Sequence, residues 1–215
     1  MEDSSSGDES PTFADWFTSL SGRSIYAKIP VTYFEDDFNL FEAHALPNFE
    51  NLLEIVLEDD PPDDEMVEEP SAREALITFY EVVHQRYITS RAGLHEMFVR
   101  GEFGRCPRTL CHGEFVLPYG ASTNPGQATY KLYCPHCQDV YFPPSRRHAK
   151  LDGVGFGPTF SHLLIMHYRE KFPAFPPQGG RWDTFVPKVF GFRIHHSSSM
   201  ACGRGQLRSR PNGYR

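Results

Sequence analysis

The chain has 215 residues, 40% hydrophobic and 14% aromatic, with a formal net charge of −7. That is enough apolar material for one large or two small cored domains, and no apolar run reaches the ~20 residues that a membrane-spanning helix needs. The charge is divided: residues 1–70 carry 19 acids and 2 bases, a net of −17, and residues 71–215 carry +10, which suits contacts between unlike surfaces or with a charged partner.

Residues 1–10 are Ser, Asp and Glu with little else, and they predict a disordered acidic tail, the opposite of a basic secretory leader. Ser5 and Ser6 each have an acid three residues on, the pattern that an acidophilic kinase reads. Residues 11–103 predict a helical domain. Ser10-Pro11 reads as a cap and first-turn proline for a helix with Phe13, Trp16, Phe17 and Leu20 on one face, stopped by Gly22. Asn48 would cap a second helix whose apolar stripe is Phe49, Leu52, Leu53, Val56 and Leu57. Ser71-x-x-Glu74 reads as a capping box opening a third, with Leu76, Phe79, Tyr80, Val83 and Tyr87 inward. A fourth fits Arg91 to Arg100, with Leu94, Met97 and Phe98 inward and Gly101 as its stop.

Between the second and third of these, residues 58–69 hold eight acids in twelve positions, and Pro61-Pro62 predicts an exposed loop without helix. Asp59, Asp60, Asp63, Asp64 and Glu65 are either a solvated linker or a docking surface for polyamines or a basic groove; charge alone favours the linker.

Cysteine dominates residues 104–168. Cys106-x4-Cys111 and Cys134-x2-Cys137, with 22 residues between the pairs, form the pattern of two knuckles facing one metal. Proline after Cys106 and Cys134 suits tight turns. Four thiolates fill a tetrahedral sphere and leave no position for substrate, so the expected ion is one structural Zn2+ per chain. The competing readings are two disulfides or buried free thiols, and His112 or His136 standing in for a cysteine. There is no His-Glu-x-x-His for a catalytic zinc. Such a site, with no leader, points to a reducing compartment, hence a cytoplasmic and nuclear location. Glu114–Leu117 and Tyr130–Tyr133 predict strands, extended by Val140-Tyr141-Phe142.

The basic run 146–150 lacks interleaved aromatics, so an acidic protein surface suits it at least as well as nucleic acid. Gly153-x-Gly155-x-Gly157 lacks the spacing of a phosphate loop and reads as turn chemistry. His162–Tyr168 predicts a short helix. Residues 169–195 predict a partner-docking segment, in which residues 185–194 form a hairpin with Phe190 and Phe192 around Gly191. Two residues apart in a regular strand, the two rings would share a face, whereas a sharp turn at Gly191 would aim both at one pocket. Residues 196–215 predict a second disordered tail, and Cys202 within it receives no role.

The order of these features resembles the regulatory beta subunit of casein kinase II over roughly residues 13–195. The resemblance rests on Asp-Phe-Asn-Leu at 37–40, the acidic loop, Gly-Glu-Phe-Gly-Arg-Cys-Pro-Arg at 101–108, Lys-Leu-Tyr-Cys-Pro-His-Cys-Gln-Asp-Val-Tyr at 131–141, Asp-Gly-Val-Gly-Phe-Gly at 152–157 and Phe-Val-Pro-Lys-Val-Phe-Gly-Phe-Arg-Ile-His at 185–195. It implies an α+β architecture: an all-helical N-terminal domain, a four-cysteine zinc ribbon forming a homodimer near Pro107, Val140 and Tyr141, and a C-terminal kinase-docking hairpin. It also implies two catalytic subunits held in a heterotetramer, a non-catalytic role for this chain, docking through Phe190, Gly191 and Phe192, phosphorylation at Ser5 and Ser6, and no membrane partner. Phe190 stands where the family usually has tyrosine. The alternative is a zinc-ribbon nucleic-acid-binding or transcription-assembly module, against which the acidic half argues.

Overall fold

The computed structural model describes residues 10–101, 103–109, 111, 113–172, 186 and 188–195; the tails with Ser5, Ser6 and Cys202, together with His112 and residues 173–185, lie outside the described residues. The described residues up to Phe172 form one compact unit, and those from Val186 belong to a second.

The first unit is mixed helix and small sheet, built around the long helix α5. The helices are α1 (Phe13–Ser19), α2 (Val31–Phe34), α3 (Phe49–Leu57), α4 (Asp64–Glu68), α5 (Pro70–Tyr87), α6 (Arg91–Arg100) and α7 (Phe160–His167). Strands β1 (Leu117–Tyr119), β2 (Lys131–Cys134) and β3 (Asp139–Tyr141) make an antiparallel sheet in that order. In its register Tyr133 pairs with Leu117 on one side and Val140 on the other. Pro118 is tolerated because β1 is an edge strand.

The apolar stripe of α5 buries Leu76, Phe79, Tyr80, Val83 and Tyr87, as its spacing predicts. Tyr80 is the hub: its ring lies 4.0 Å from Phe17 and 5.7 Å from Phe13, centroid to centroid. Its hydroxyl accepts from Ile29 N at 2.9 Å and donates to Ala27 O at 3.2 Å, so a buried polar group is paired on both sides. One turn on, His84 Nε2 accepts from Ala27 N at 2.9 Å, and Nδ1–H therefore donates to Gly155 O at 2.6 Å. Burial keeps that imidazole neutral down to about pH 3. Through these bonds α5 ties the segment after α1 to the glycine-rich turn 153–157.

Those glycines serve close approach. A Cβ on Gly120 would lie 1.8 Å from Gly153 O, and one on Gly155 would lie 2.5 Å from the Tyr26 ring. The run is turn chemistry, as expected, and its absent side chains let the backbone lie against the β1 end and the helical core. Helix α7 packs beside β1, where Ser161 Oγ donates to Pro118 O, and Tyr168 stacks on Phe98 of α6 at 3.8 Å.

Several local expectations are corrected. Thr12, not Ser10, caps α1: it forms a capping box with Asp15, whose carboxyl is held below its ordinary range chiefly by Lys28. Ser71-x-x-Glu74 makes no capping box, because the cap position is Glu69 and the helix starts at Pro70, two residues earlier than a Ser71 cap would give, and Ser71 Oγ donates to Glu69 instead. Asn48 precedes α3 in the left-handed region, φ 58°, without a side-chain cap bond. The acidic segment contains α4, since Pro61-Pro62 precede its cap at Asp63 and do not interrupt it. The first strand lies at Leu117–Tyr119, while Phe115 makes only an isolated bridge with Arg105. Helix α6 keeps its expected bounds, with Ser90 as cap and Gly101, φ 61°, as stop.

Candidate metal centre and C-terminal hairpin

Each cysteine pair sits on a turn tied down by backbone bonds. Cys106 N donates to Glu114 O at 2.8 Å and Cys111 N to Arg108 O at 3.0 Å, which closes the first knuckle. Cys134 ends β2, Gln138 N returns to Cys134 O at 2.8 Å, and Gln138, φ 53°, turns the chain into β3. Cys137 N donates to Cys134 Sγ at 3.3 Å, so the second knuckle already offers a backbone hydrogen bond to sulfur.

All four thiols are buried, and their sulfurs lie within 4.8 Å of one another. Across the two knuckles, Cys106 Sγ is 3.8 Å from Cys137 Sγ and Cys111 Sγ is 3.5 Å from Cys134 Sγ. A disulfide requires ~2.05 Å, whereas four sulfurs each ~2.3 Å from one zinc ion are ~3.8 Å apart along a tetrahedron edge. The donor set therefore fits a tetrahedral thiophilic ion and not two disulfides. His136 is half-buried and is not one of the four clustered groups.

Burial works against ionisation of these sulfurs, unevenly. Burial pushes the thiol of Cys111 up and that of Cys134 up to about 12. At Cys137 burial also opposes ionisation, yet hydrogen bonds led by the one from the Tyr141 hydroxyl hold its value below the ordinary thiol range. Arg108 also hydrogen-bonds Tyr141 and Cys137. Four adjacent thiolates need a cation between them, and these two side chains steady the sulfur most ready to ionise. The sequence assigns Arg108 no role, and it assigns Tyr141 only to a dimer interface. The clue was Arg108 at the second position after Cys106, inside the first knuckle.

Of the other expected site residues, Pro107 and Val140 are exposed, Val140 at 40%, and Tyr141 is half-buried. In the acidic segment Asp60, Asp63, Asp64 and Glu65 are exposed; Asp59 is half-buried, with φ 54°, and its carbonyl accepts from Phe13 N at 3.1 Å.

In the second unit, β4 (Lys188–Val189) and β5 (Phe192–Arg193) pair as Lys188↔Arg193 and Val189↔Phe192. Phe190, φ 49°, and Gly191, φ 85°, are the two loop residues, both left-handed, as in a type I′ turn. The two rings therefore do not share one strand: Phe190 is at the tip and Phe192 begins the return strand. Their exposures are 96% and 79%.

A helical layer built on one long helix, beside a small antiparallel sheet whose turns gather four thiols, defines a mixed-class protein with a buried four-cysteine cluster that could hold a metal ion. The chain belongs to the casein kinase II regulatory subunit family, which it matches over residues 12–193. It is 40% identical over 203 residues to casein kinase II subunit beta of Dictyostelium discoideum, covering 92% of this chain and 74% of the relative. It is 36% identical to casein kinase II subunit beta of Schizosaccharomyces pombe, over 91% of this chain and 84% of the relative. Against casein kinase II subunit beta' of Drosophila melanogaster the identity is 37%, over 87% and 85%.

Proposed function

We propose that this chain is a non-catalytic regulatory subunit of a casein kinase II-type serine/threonine kinase. One structural Zn2+ held by Cys106, Cys111, Cys134 and Cys137 fixes the ribbon, and the ribbon pairs two copies through Pro107, Val140 and Tyr141. Each copy docks a catalytic subunit with its C-terminal hairpin, giving a heterotetramer. Family membership supports this reading, and the nucleic-acid alternative finds no support in it. Tail phosphorylation at Ser5 and Ser6, and action in cytoplasm and nucleus, belong to the same reading.

The observation that carries it is the hairpin tip. A bulky residue in the left-handed region costs on the order of 1–3 kcal/mol, and such strain concentrates at sites where it is used. Phe190 adopts it and exposes 96% of its surface, as an anchor for a pocket on another chain would. Phe192→Ala is expected to cost about 2 kcal/mol or more of affinity for the catalytic subunit, roughly a thirtyfold weakening, with zinc content, dimer and melting temperature unchanged. The effect at Phe190 should be smaller, since that position already departs from the family's tyrosine. Titration calorimetry against the isolated catalytic subunit measures both; wild-type affinity in Phe192→Ala would refute the docking role.

The acidic segment has a second part in this reading. A stretch of exposed acids with no hydroxyl resembles an acidic substrate that cannot react. Replacing Asp59, Asp60, Asp63, Asp64 and Glu65 by their amides is expected to raise basal holoenzyme activity and to remove any response to spermine. Kinase assays with and without spermine decide this, and no change in either assay returns the segment to a solvated linker.

A further inference from the structure

Helix α5 has a second face, largely polar, that borders a surface cavity. Pro70, Arg73, Glu74, Ile77, Thr78 and Glu81 follow helical spacing along one side, and they line a cavity of ≈ 560 Å³. The opposite wall is the turn 126–129 with residues 150–152, and Arg23 stands beside Glu81. A volume of this size falls in the range that holds small-molecule ligands.

The cations around it are under-used. Among the described residues Arg73 and Lys150 make no side-chain hydrogen bond or ion pair, and both are exposed at the rim. Arg23 Nη2 bonds Glu81 Oε1 at 3.1 Å, but Arg23 Nε is a buried donor with no partner. Arg23 is itself one of the cavity-lining residues, and its side chain is 18% exposed.

The acids of the cavity are largely committed elsewhere. Asp152 accepts from Gly126 N through Oδ2 and from Val154 N through Oδ1, so both oxygens hold backbone. Glu81 Oε1 accepts from both Arg23 and Tyr26, and burial raises its carboxyl to about 7. Glu74 is exposed.

We propose that this cavity binds a phosphoryl group, with Arg73 and Lys150 supplying charge at the rim and the Arg23 guanidinium, its side chain 18% exposed, at the inner end. Tetrahedral oxyanions suit a planar guanidinium and two further cations, since each oxygen accepts more than one charge-assisted bond. The cavity shares no lining residue with the cysteine cluster or the hairpin. The phosphoryl group comes either as free phosphate or on a phosphorylated serine side chain.

The test is titration of the full-length, zinc-loaded protein with inorganic phosphate and, separately, with O-phosphoserine, in chloride buffers of matched ionic strength. One saturable site per chain is expected for at least one of the two. Arg73→Gln and Lys150→Gln should each weaken it about tenfold, as loss of a charge-assisted contact does, while the ligand-free melting temperature stays unchanged because neither side chain is bonded within the fold. Tighter binding of O-phosphoserine identifies a phosphorylated side chain as the occupant, and tighter binding of phosphate identifies the free ion. No saturable signal above the chloride control with either ligand, or undiminished binding when Arg73→Gln and Lys150→Gln are combined in one chain, would overturn the proposal.

Discussion

Cys134→Ser is expected to abolish zinc binding, and with it the ribbon, the dimer and the docking of catalytic subunits together. Cys134 is completely buried at the end of β2, its sulfur lies 3.5 Å from Cys111 Sγ, and it accepts the Cys137 N–H. A serine hydroxyl at that point does not ionise near neutral pH and leaves three thiolates facing an incomplete sphere. Structural zinc sites contribute on the order of 10 kcal/mol in small domains, comparable to the whole stability of a typical one. The strands have only three or four residues each, and the cysteines occupy the end of β2 and the turn into β3, so loss of a bound ion is expected to loosen this end of the sheet. Metal analysis, light scattering and a pull-down with the catalytic subunit on one sample measure the three losses, and chelation of the wild-type protein should reproduce them. A Cys134→Ser protein free of zinc but still dimeric would show that the ribbon does not depend on its ion.

The parts of the molecule legible in the sequence were those governed by spacing. Apolar periodicity located α3, α5 and α6, and the two cysteine pairs located the thiol cluster, because each pattern has few physical solutions. What depends on tertiary placement was not legible. Ser10, Thr12 and Ser71 are all plausible caps by type, and only the path of the preceding chain decides that Thr12 reaches Asp15 N and that Ser71 reaches no orphan N–H. Phe190-Gly191 did not read as a two-residue turn, since such turns favour Asn-Gly and a phenylalanine there opposes the local rule. Arg108 was silent because its partners, Tyr141 and Cys137, are some thirty residues away in the chain. Glu81 and His84 were hidden for a different reason: polar residues on a helix read as its wet side, yet both are buried.

Glu81→Gln is expected to remove a pH dependence of stability worth about 3 kcal/mol. Glu81 is buried on α5, facing Arg23 and the Tyr26 hydroxyl, with Asp152 adding like charge from across the cavity. Burial outweighs the help of Arg23 and Tyr26 and raises the carboxyl from an ordinary 4.5 to about 7. Because the folded state holds this proton more tightly than the unfolded chain, the contribution is fully present below pH 4.5 and is lost as pH rises through 7. A shift of that size corresponds to about 3 kcal/mol, at 1.36 per unit. Glutamine keeps an acceptor for Arg23 and Tyr26 but has no charge to bury, so the variant should gain on wild type by about that amount between pH 4.5 and 8. The cysteines and all other titrating groups are common to both proteins and cancel in the difference. Urea unfolding of both, at fixed protein and zinc concentration across that range, gives the difference directly. A constant difference would mean that Glu81 ionises in the folded protein as it does in water, and that Arg23 fully offsets its burial.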